Sequence, residues 1–292
     1  MNVIASILLR PNAKKDDGFA VSRETAKYLL SKGAAVSVPD ALLPAFAGIG
    51  ATGESAGAAP DLILALGGDG TVLAASEDAI ERGVPLLGVN MGRLGFLAEL
   101  ETDQLQKLDA LFTGDYTVTE RMTLRVSADI GEGEFDLPGY PLNDVVFSHD
   151  RGDGLALLSL SDASENVIDY HADGLILATP SGSTAYTLSA GGPIVDDGME
   201  AICVTPVCPH SFFNRSVIFG RDACLTVENR SPLGRDVTVS LDGKDRLRLP
   251  FGGTVTVRRS DRPLKMLSLD PHAVLSTLNR KMQMADMKYR NE

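Results

Sequence analysis

The sequence predicts an α/β domain followed by a β-rich domain. Strand-like and helix-like segments alternate over the first ~115 of the 292 residues, as they do in layered α/β folds. From Tyr116 onward the hydrophobic period changes to two, which is typical of half-buried strands. We therefore expect residues 1–115 and 116–267 to form separate domains, with a helix near 268–292 that packs back on the first.

The elements of the first domain follow from its apolar spacing. Short apolar runs predict strands at Val3 to Leu9, Ala34 to Val38, Leu62 to Leu66 and Val84 to Asn90. The run from Leu62 to Leu66 is continuous, which is typical of a strand buried on both faces. Helical spacing predicts three helices, which end at Gly33, Gly83 and Gly114. Thr102 is the expected N-cap of the helix that ends at Gly114. The first apolar run stops at Arg10 and Pro11, so we expect a strand there and not a signal peptide.

The second domain is predicted from alternation. Tyr116 to Ala128 alternates apolar and polar residues, broken only at Glu120, which predicts one long strand. The same period recurs within 223–227, 237–241 and 255–257. Helical spacing returns only in the tail, at 271–282.

Composition excludes several classes of function. A net charge of -12 argues against a broad basic face for nucleic acid or an anionic membrane. No apolar run approaches the ~20 residues of a membrane span, so we expect a cytoplasmic protein. The chain has three cysteines, Cys203, Cys208 and Cys224. Because their number is odd and none has CxxC spacing, we expect them to be reduced and structural.

One glycine motif is misleading. Gly48, Gly50 and Gly53 have the GxGxxG spacing of dinucleotide-binding folds. Only seven residues, ending at Pro60, separate Gly53 from the next strand, whereas a crossover with its helix needs at least ~10 to 12. We interpret this stretch as a loop.

A second glycine motif is the candidate for chemistry. In GGDGT, Gly67, Gly68 and Gly70 surround Asp69 between a predicted strand and a predicted helix. Glycines there let backbone N–H groups approach phosphates, and the helix N-terminus favours anions. A carboxylate beside phosphates needs another task, such as holding a metal or accepting a proton. Turn or cap chemistry alone is an equally good interpretation of the motif by itself.

The second half supplies further polar groups. Asn143 and Asp144 stand side by side at a strand start, and the segment from Tyr170 to Pro193 is rich in hydroxyls and glycines. Neutral donors, carboxylates and an aromatic side chain suit ribose hydroxyls and a purine.

These motifs resemble the NAD kinase family. The resemblance rests on GGDGT, GRLGFL at 92–97, the Asn143 and Asp144 pair, YHADGLILATPSGSTAYTLSAGGP and NRSVI at 214–218, in the family's order. It implies an α/β domain and a β-rich domain, as in the fold shared with diacylglycerol kinases, with the active site between them. It also implies ATP-dependent phosphorylation of the 2'-hydroxyl of the adenosine ribose of NAD, giving NADP, with polyphosphate as another donor.

The resemblance further implies roles for particular residues. Asp69 matches the family's proton acceptor. The implied nucleotide and dinucleotide contacts are Gly67, Gly68, Gly70, Thr71, Phe96, Asn143, Asp144, His171, Asp173, Thr184, Ala185, Tyr186, Thr187, Leu188 and Ser189. Asp144 stands where Glu is commoner in the family, and His171 where Arg is frequent. A divalent ion, Mg²⁺, is expected to arrive with ATP, and a homodimer or homotetramer is implied.

Two other hypotheses remain open on sequence alone. A lipid kinase of the diacylglycerol type shares the GGDG motif, although the acidic net charge of -12 disfavours a membrane-facing surface. A non-catalytic sensor would bind the dinucleotide without phosphorylating it. An altered Asp69 would favour the sensor, and Asp69 is intact.

Overall fold

The computed structural model describes residues 3–92, 95–149, 154–163, 165–210, 214–269 and Asn279. The chain divides into two compact units, Met1–Glu120 with Leu264–Glu292 and Arg121–Pro263. The predicted tail helix over 271–282 lies outside the described residues, apart from Asn279.

The first unit is built on one eight-stranded sheet. The strands are β1 Ser6–Pro11, β2 Ala35–Val38, β3 Thr52–Gly53, β4 Leu62–Gly67, β5 Leu86–Asn90, β6 Leu100–Glu101, β7 Thr117–Arg121 and β20 Leu264–Ser268. Their order across the sheet is β3-β2-β1-β4-β5-β20-β7, with β6 paired to β5 beside that path. The pairs of β1 with β2 and β4, and of β4 with β5, are parallel.

The described part of this unit includes the helices α1 Ala20–Ser31, α2 Asp69–Arg82 and α3 Ala110–Thr113. Short 3₁₀ turns occupy Asp17–Phe19, Asp40–Phe46 and Thr102–Asp109. Every residue of β4 is buried, as its continuous apolar run predicts. Gly33 and Gly83 take φ values of +91° and +70° just after α1 and α2, where the left-handed conformation ends a helix. These parts of the prediction are confirmed.

The described residues of the second unit form two antiparallel six-stranded sheets. One has the order β15-β14-β13-β10-β17-β18, and the other has the order β12-β11-β16-β19-β8-β9. Apolar side chains from both sheets, including Phe147 and Leu158, form one buried core. The first sheet consists of β10 Asp144–His149, β13 Gly174–Ala178, β14 Ala201–Val207, β15 Val217–Gly220, β17 Val237–Leu241 and β18 Lys244–Leu249.

The second sheet consists of β8 Leu124–Asp129, β9 Glu134–Asp136, β11 Ala156–Asp162, β12 Glu165–Ala172, β16 Cys224–Asn229 and β19 Thr254–Arg259. A 3₁₀ turn at Ser181–Thr184 and the short helix α4 Tyr186–Ser189 follow β13, and a further 3₁₀ turn lies at Pro232–Gly234. The predicted combination of an α/β part with a β-rich part is confirmed.

The prediction of one strand over 116–128 is wrong. The chain forms β7 in the sheet of the first unit and β8 in a sheet of the second. Thr123 lies between them, where its hydroxyl donates to the carbonyl of Arg262 (2.7 Å) and its carbonyl accepts from the N–H of Ser260 (2.9 Å). These bonds divert the backbone, so the alternation continues in sequence but not in one sheet.

The helix expected over 105–112 is also different. Residues Thr102–Asp109 form a 3₁₀ turn, and only Ala110–Thr113 is α-helical. Glu101 is the N-cap in place of Thr102, because its side chain and that of Gln104 form a reciprocal capping box. Gly114 ends the element in the left-handed conformation, as predicted.

Two further expectations concern loops and membranes. No helix occurs in the fully described stretch 54–61 that follows Gly53, so the GxGxxG spacing does not form a dinucleotide-binding turn.

Among the helices of the described residues, none has the length and apolarity needed to cross a membrane.

Candidate active site

The GGDGT motif forms the turn from β4 into α2. Gly67 is the last residue of β4, and Asp69 is the first of α2. A Cβ on Gly67 would overlap the side chain of Thr71, and a Cβ on Gly68 would lie 2.5 Å from the Nζ of Lys15. Gly67 therefore needs to be glycine, whereas at Gly68 the close group is the end of an exposed lysine side chain that can move. Gly70 has open space at its Cβ position.

The carboxylate of Asp69 is held by the backbone of a neighbouring loop. Its Oδ2 accepts from the N–H of Phe96 (2.7 Å), and its Oδ1 accepts from the N–H groups of Leu97 (2.9 Å) and Ala98 (3.3 Å). A Cβ on Gly95 would overlap this carboxylate. Three donors fix both oxygens in direction, so Asp69 is more than a turn residue. Arg93 and Leu94 of the GRLGFL motif lie outside the described residues.

In the second unit, the Asn143 and Asp144 pair is organised by a carboxylate far along the chain. Asp242 accepts the N–H groups of Leu142 (2.9 Å), Asn143 (2.8 Å) and Asp144 (3.0 Å). Asp144 is only 5% exposed. Burial, with the neighbouring charge of Asp242, raises the pKa of Asp144 to about 7.

The pKa of Asp242 is also raised, because burial outweighs the effects that oppose it. Burial raises its pKa, while the N–H groups of Leu142, Asp144 and Asn143 and the charge of Lys244 act in the opposite direction. The backbone donors favour the ionised form of Asp242, and the two carboxyls share one small region, so a proton is held more readily on Asp144.

The hydroxyl-rich segment packs directly against this pair. The N–H of Thr179 donates to the carbonyl of Asn143 (2.9 Å), and the hydroxyl of Thr179 donates to the carbonyl of Leu142 and accepts from the N–H of Gly182 (3.0 Å). A Cβ on Gly182 would overlap the carbonyl oxygen of Asn143. The structure therefore brings Asn143 and Asp144 together with the turn that leads to Thr184.

Residues 184–189 present a mixed surface. Thr184 and Ala185 are half-buried, and Tyr186, Leu188 and Ser189 are exposed. Thr187 is fully buried, and its hydroxyl has no hydrogen-bond partner among the described residues.

His171 and Asp173 lie at the other end of β13. Asp144 pairs with Ala178 across the two strands, whereas Ser148 pairs with Gly174. Asp173 is exposed and its Oδ1 lies 3.5 Å from the Nε2 of His149. The predicted residues of the second unit thus form two groups separated by the length of β13, roughly 13 to 16 Å for a strand of that size.

Sequence reasoning missed three of the residues that shape these sites, Asp242, Gly95 and Lys15. The signal for Asp242 was present, since Asp-Gly between two alternating runs predicts a tight hairpin turn. Asp242 and Gly243 indeed connect β17 to β18 with φ values of +49° and +73°. The turn was predictable, but its contact with 142–144 was not.

The described residues form no cluster of three or more His, Cys, Asp or Glu side chains that could hold a metal. A dedicated protein cage for Mg²⁺ is therefore not found in this part of the chain. Mg²⁺ in kinases is commonly held by one or two carboxylates together with substrate phosphates. Asp69 fits that use, because each of its oxygens has two lone pairs and Oδ2 accepts one N–H from the residues that the structure describes.

The first unit thus offers a glycine turn of the kind that suits an anion, with an oriented carboxylate. That combination suits phosphoryl transfer to a hydroxyl, in which positioning and charge stabilisation contribute most of the catalysis. The second unit offers amides, hydroxyls and carboxyls of the kind that suit a polar, ribose-bearing ligand. Fold and sites together define a nucleotide-binding phosphotransferase.

Comparisons with known proteins agree with this class. Residues 9–116 match the ATP-NAD kinase N-terminal domain, and residues 142–269 match the ATP-NAD kinase C-terminal domain. The NAD kinase of Geotalea daltonii is 38% identical over 221 residues, covering 74% of this chain and 77% of its own. The NAD kinase of Symbiobacterium thermophilum is 37% identical over 279 residues, covering 93% and 96%. The chain belongs to the NAD kinase family.

Solved structures share the fold. Yeast NADH kinase complexed with NADH superposes with a TM-score of 0.84 at 22% identity, covering 96% of this chain and 87% of that chain. An NAD kinase from Archaeoglobus fulgidus in complex with ATP gives a TM-score of 0.69 at 21% identity, covering 94% and 98%.

Proposed function

We propose that this protein transfers the γ-phosphate of ATP to the 2'-hydroxyl of the adenosine ribose of NAD, forming NADP and ADP. The observation that carries the proposal is the carboxylate of Asp69, held by three backbone N–H groups at the start of α2. Family membership supports the dinucleotide as acceptor.

The proposed step is a single displacement. The ribose oxygen forms a bond to the γ-phosphorus, the bond from that phosphorus to the β-γ bridging oxygen breaks, and the hydroxyl proton passes to Asp69. A ribose hydroxyl is a weak nucleophile at neutral pH, so a positioned base is typically worth ~100- to 10,000-fold. The N–H groups at the start of α2 stabilise negative charge on the phosphates. Mg²⁺ carried with ATP would neutralise phosphate charge, and the carboxylate of Asp69 would help to hold it.

The second unit is the proposed dinucleotide-binding part. Asn143 and Asp144 have a backbone fixed by Asp242, which suits them to bind a ribose or amide group. Thr184 to Ser189 would hold the adenosine, and His171 with Asp173 would contact another part of NAD. This division is supported by the clustering of these residues at the two ends of β13.

The test is Asp69→Asn. We expect the variant to remain folded and to keep its affinity for NAD, while the turnover number falls ~100- to 10,000-fold. Its stability should fall by about 1 to 3 kcal/mol, because an amide would face the N–H groups that Asp69 satisfies. NADP formation is measured by a coupled assay, with circular dichroism and calorimetry for fold and NAD binding. Near-normal turnover by the variant would remove Asp69 from the mechanism.

The same assay separates the competing functions. Wild type is incubated with ATP and either NAD, NADH or diacylglycerol, and with polyphosphate in place of ATP. Phosphorylated diacylglycerol would support the lipid kinase, and tight NAD binding without NADP formation would support the sensor.

Two further features are part of the proposal. We place the protein in the cytoplasm, which fits three free cysteines, since disulfides form mainly in oxidising compartments. A homodimer or homotetramer is expected from the family resemblance, and light scattering after size exclusion measures the mass in solution.

A further inference from the structure

The loop that follows β1 is fastened to the glycine turn. Asn12 donates from its backbone N–H to the carbonyl of Leu66 (3.0 Å) and from its side-chain amide to the hydroxyl of Thr71 (2.7 Å). The N–H of Lys15 donates to the carbonyl of Asn12 (3.0 Å). Buried Asp16 closes the loop by accepting from two N–H groups at the start of α1. The backbone of residues 12–16 is therefore fixed at both ends.

This fixed loop places an ammonium group over Gly68. The Nζ of Lys15 lies 2.5 Å from the point where a Cβ on Gly68 would be. The Lys15 side chain is exposed, and no hydrogen bond or ion pair of its Nζ is found within the described ranges. A cation thus stands directly above the turn, beside the positive end of the 14-residue helix α2.

A buried acceptor faces the same point. Asn90, at the end of β5, is 1% exposed, and its Nδ2 donates to the carboxylate of Glu101 (3.1 Å). Its Oδ1 has no partner among the described residues and lies 3.6 Å from the Cβ position of Gly68. An unpaired acceptor in a buried site is costly, so a donor belongs there when the site is filled.

We propose that Lys15 binds the terminal phosphates of the phosphoryl donor, a role that rests on the proposed function. An ammonium has three N–H groups. One of them would be donated to the Oδ1 of Asn90, and the others to phosphate oxygens seated on Gly68 and the first N–H groups of α2. The ligand class is a terminal phosphoryl chain, whether from a nucleoside triphosphate or from inorganic polyphosphate.

The test compares Lys15→Met with Lys14→Met. Methionine keeps an unbranched side chain and removes the charge, and Lys14 is an exposed neighbour on the same loop. Initial rates are measured with ATP varied at saturating NAD, and with NAD varied at saturating ATP. We expect Lys15→Met to raise the KM for ATP about 10- to 100-fold, as loss of a hydrogen bond to a charged group predicts. The KM for NAD should stay within twofold of the wild-type value. The melting temperature should stay within a few degrees of wild type.

Three additional readouts make the result decisive. Lys15→Arg should recover part of the ATP affinity, because it restores the charge. Polyphosphate, if wild type uses it, should show the same rise in KM. Calorimetry of ATP binding without NAD should show a loss of ATP affinity in Lys15→Met and none in Lys14→Met. This measurement tests the role of Lys15 even if wild type forms no NADP. An unchanged affinity for ATP in Lys15→Met, or an equal loss in Lys14→Met, would overturn the proposal.

Discussion

Gly95 lies against the carboxylate of Asp69 so closely that a single methyl group on Gly95 would overlap it. The next three residues, Phe96 to Ala98, donate their N–H groups to the same carboxylate. The direction of the proposed base is therefore set by a loop and not by α2 alone.

Gly95→Ala should reduce turnover by about 100-fold, because a displacement of the order of 1 Å in a catalytic group can cost that much. The KM values for NAD and ATP should change much less than kcat. Gly220→Ala is the matched control, since a Cβ at Gly220 meets nothing within 4 Å. Full activity in Gly95→Ala would show that the position of Asp69 tolerates adjustment.

Asp144 should make the stability of the protein depend on pH. Its pKa is raised to about 7, above its unfolded value of about 4, so folding favours the protonated form. This contribution is complete below pH ~4, declines by up to about 1.4 kcal/mol per pH unit as pH rises towards 7, and is lost above it.

Asp144→Asn removes that titration. Urea unfolding between pH 5 and pH 8 should show a wild-type free energy of unfolding that falls with pH relative to the variant. Asp245→Asn, at an exposed position on β18, should retain the wild-type profile. Parallel profiles for wild type and Asp144→Asn would show that Asp144 titrates normally.

Asp242→Asn should weaken NAD binding. In wild type, the carboxylate of Asp242 accepts the N–H groups of residues 142–144. The asparagine amide would replace one acceptor oxygen with an NH₂ group, so that donors would face donors. We expect a rise of about tenfold in the KM for NAD and a loss of about 1 to 3 kcal/mol in stability, with the KM for ATP unchanged. Steady-state kinetics and urea unfolding measure both, and exposed Asp236→Asn serves as the control. An unaltered KM for NAD would separate this carboxylate from dinucleotide binding.

Gly182→Ala should destabilise the protein by about 1 to 3 kcal/mol, the usual cost of overpacking. The added Cβ would overlap the carbonyl oxygen of Asn143, and backbone on both sides has to move. Chemical denaturation measures the change against Gly220→Ala. Wild-type stability in Gly182→Ala would mean that the turn at Ser181–Thr184 is more adaptable than its contacts suggest.

Local pattern predicted the fold where local interactions decide it. The apolar run at Leu62 to Leu66 corresponds to a strand that is entirely buried, and Gly83 ends α2 because it can adopt positive φ. The alternation from Tyr116 to Ala128 wrongly predicted one strand. Thr123 is hydrogen-bonded to Ser260 and Arg262, and no local pattern reveals partners so far away in the sequence.

The sites show the same limit. Asp69 was found from its glycines, since that turn is local in sequence. Its orientation by residues 96–98 and the fixing of Asn143 by Asp242 are contacts across long separations. Lys15 carries no motif of its own, and only its placement over Gly68 distinguishes it from Lys14.

The first unit is interrupted in the chain by the whole of the second, which runs from Arg121 to Pro263. On a ribosome, β1 to β5 therefore emerge long before β20. Leu86 of β5 pairs with Ile63 of β4 on one side, and until Met266 of β20 is made it lacks its partner on the other side. The sheet that leads into Asp69 can therefore be completed only after the inserted unit has been synthesised, so the inserted unit can fold before that sheet is complete.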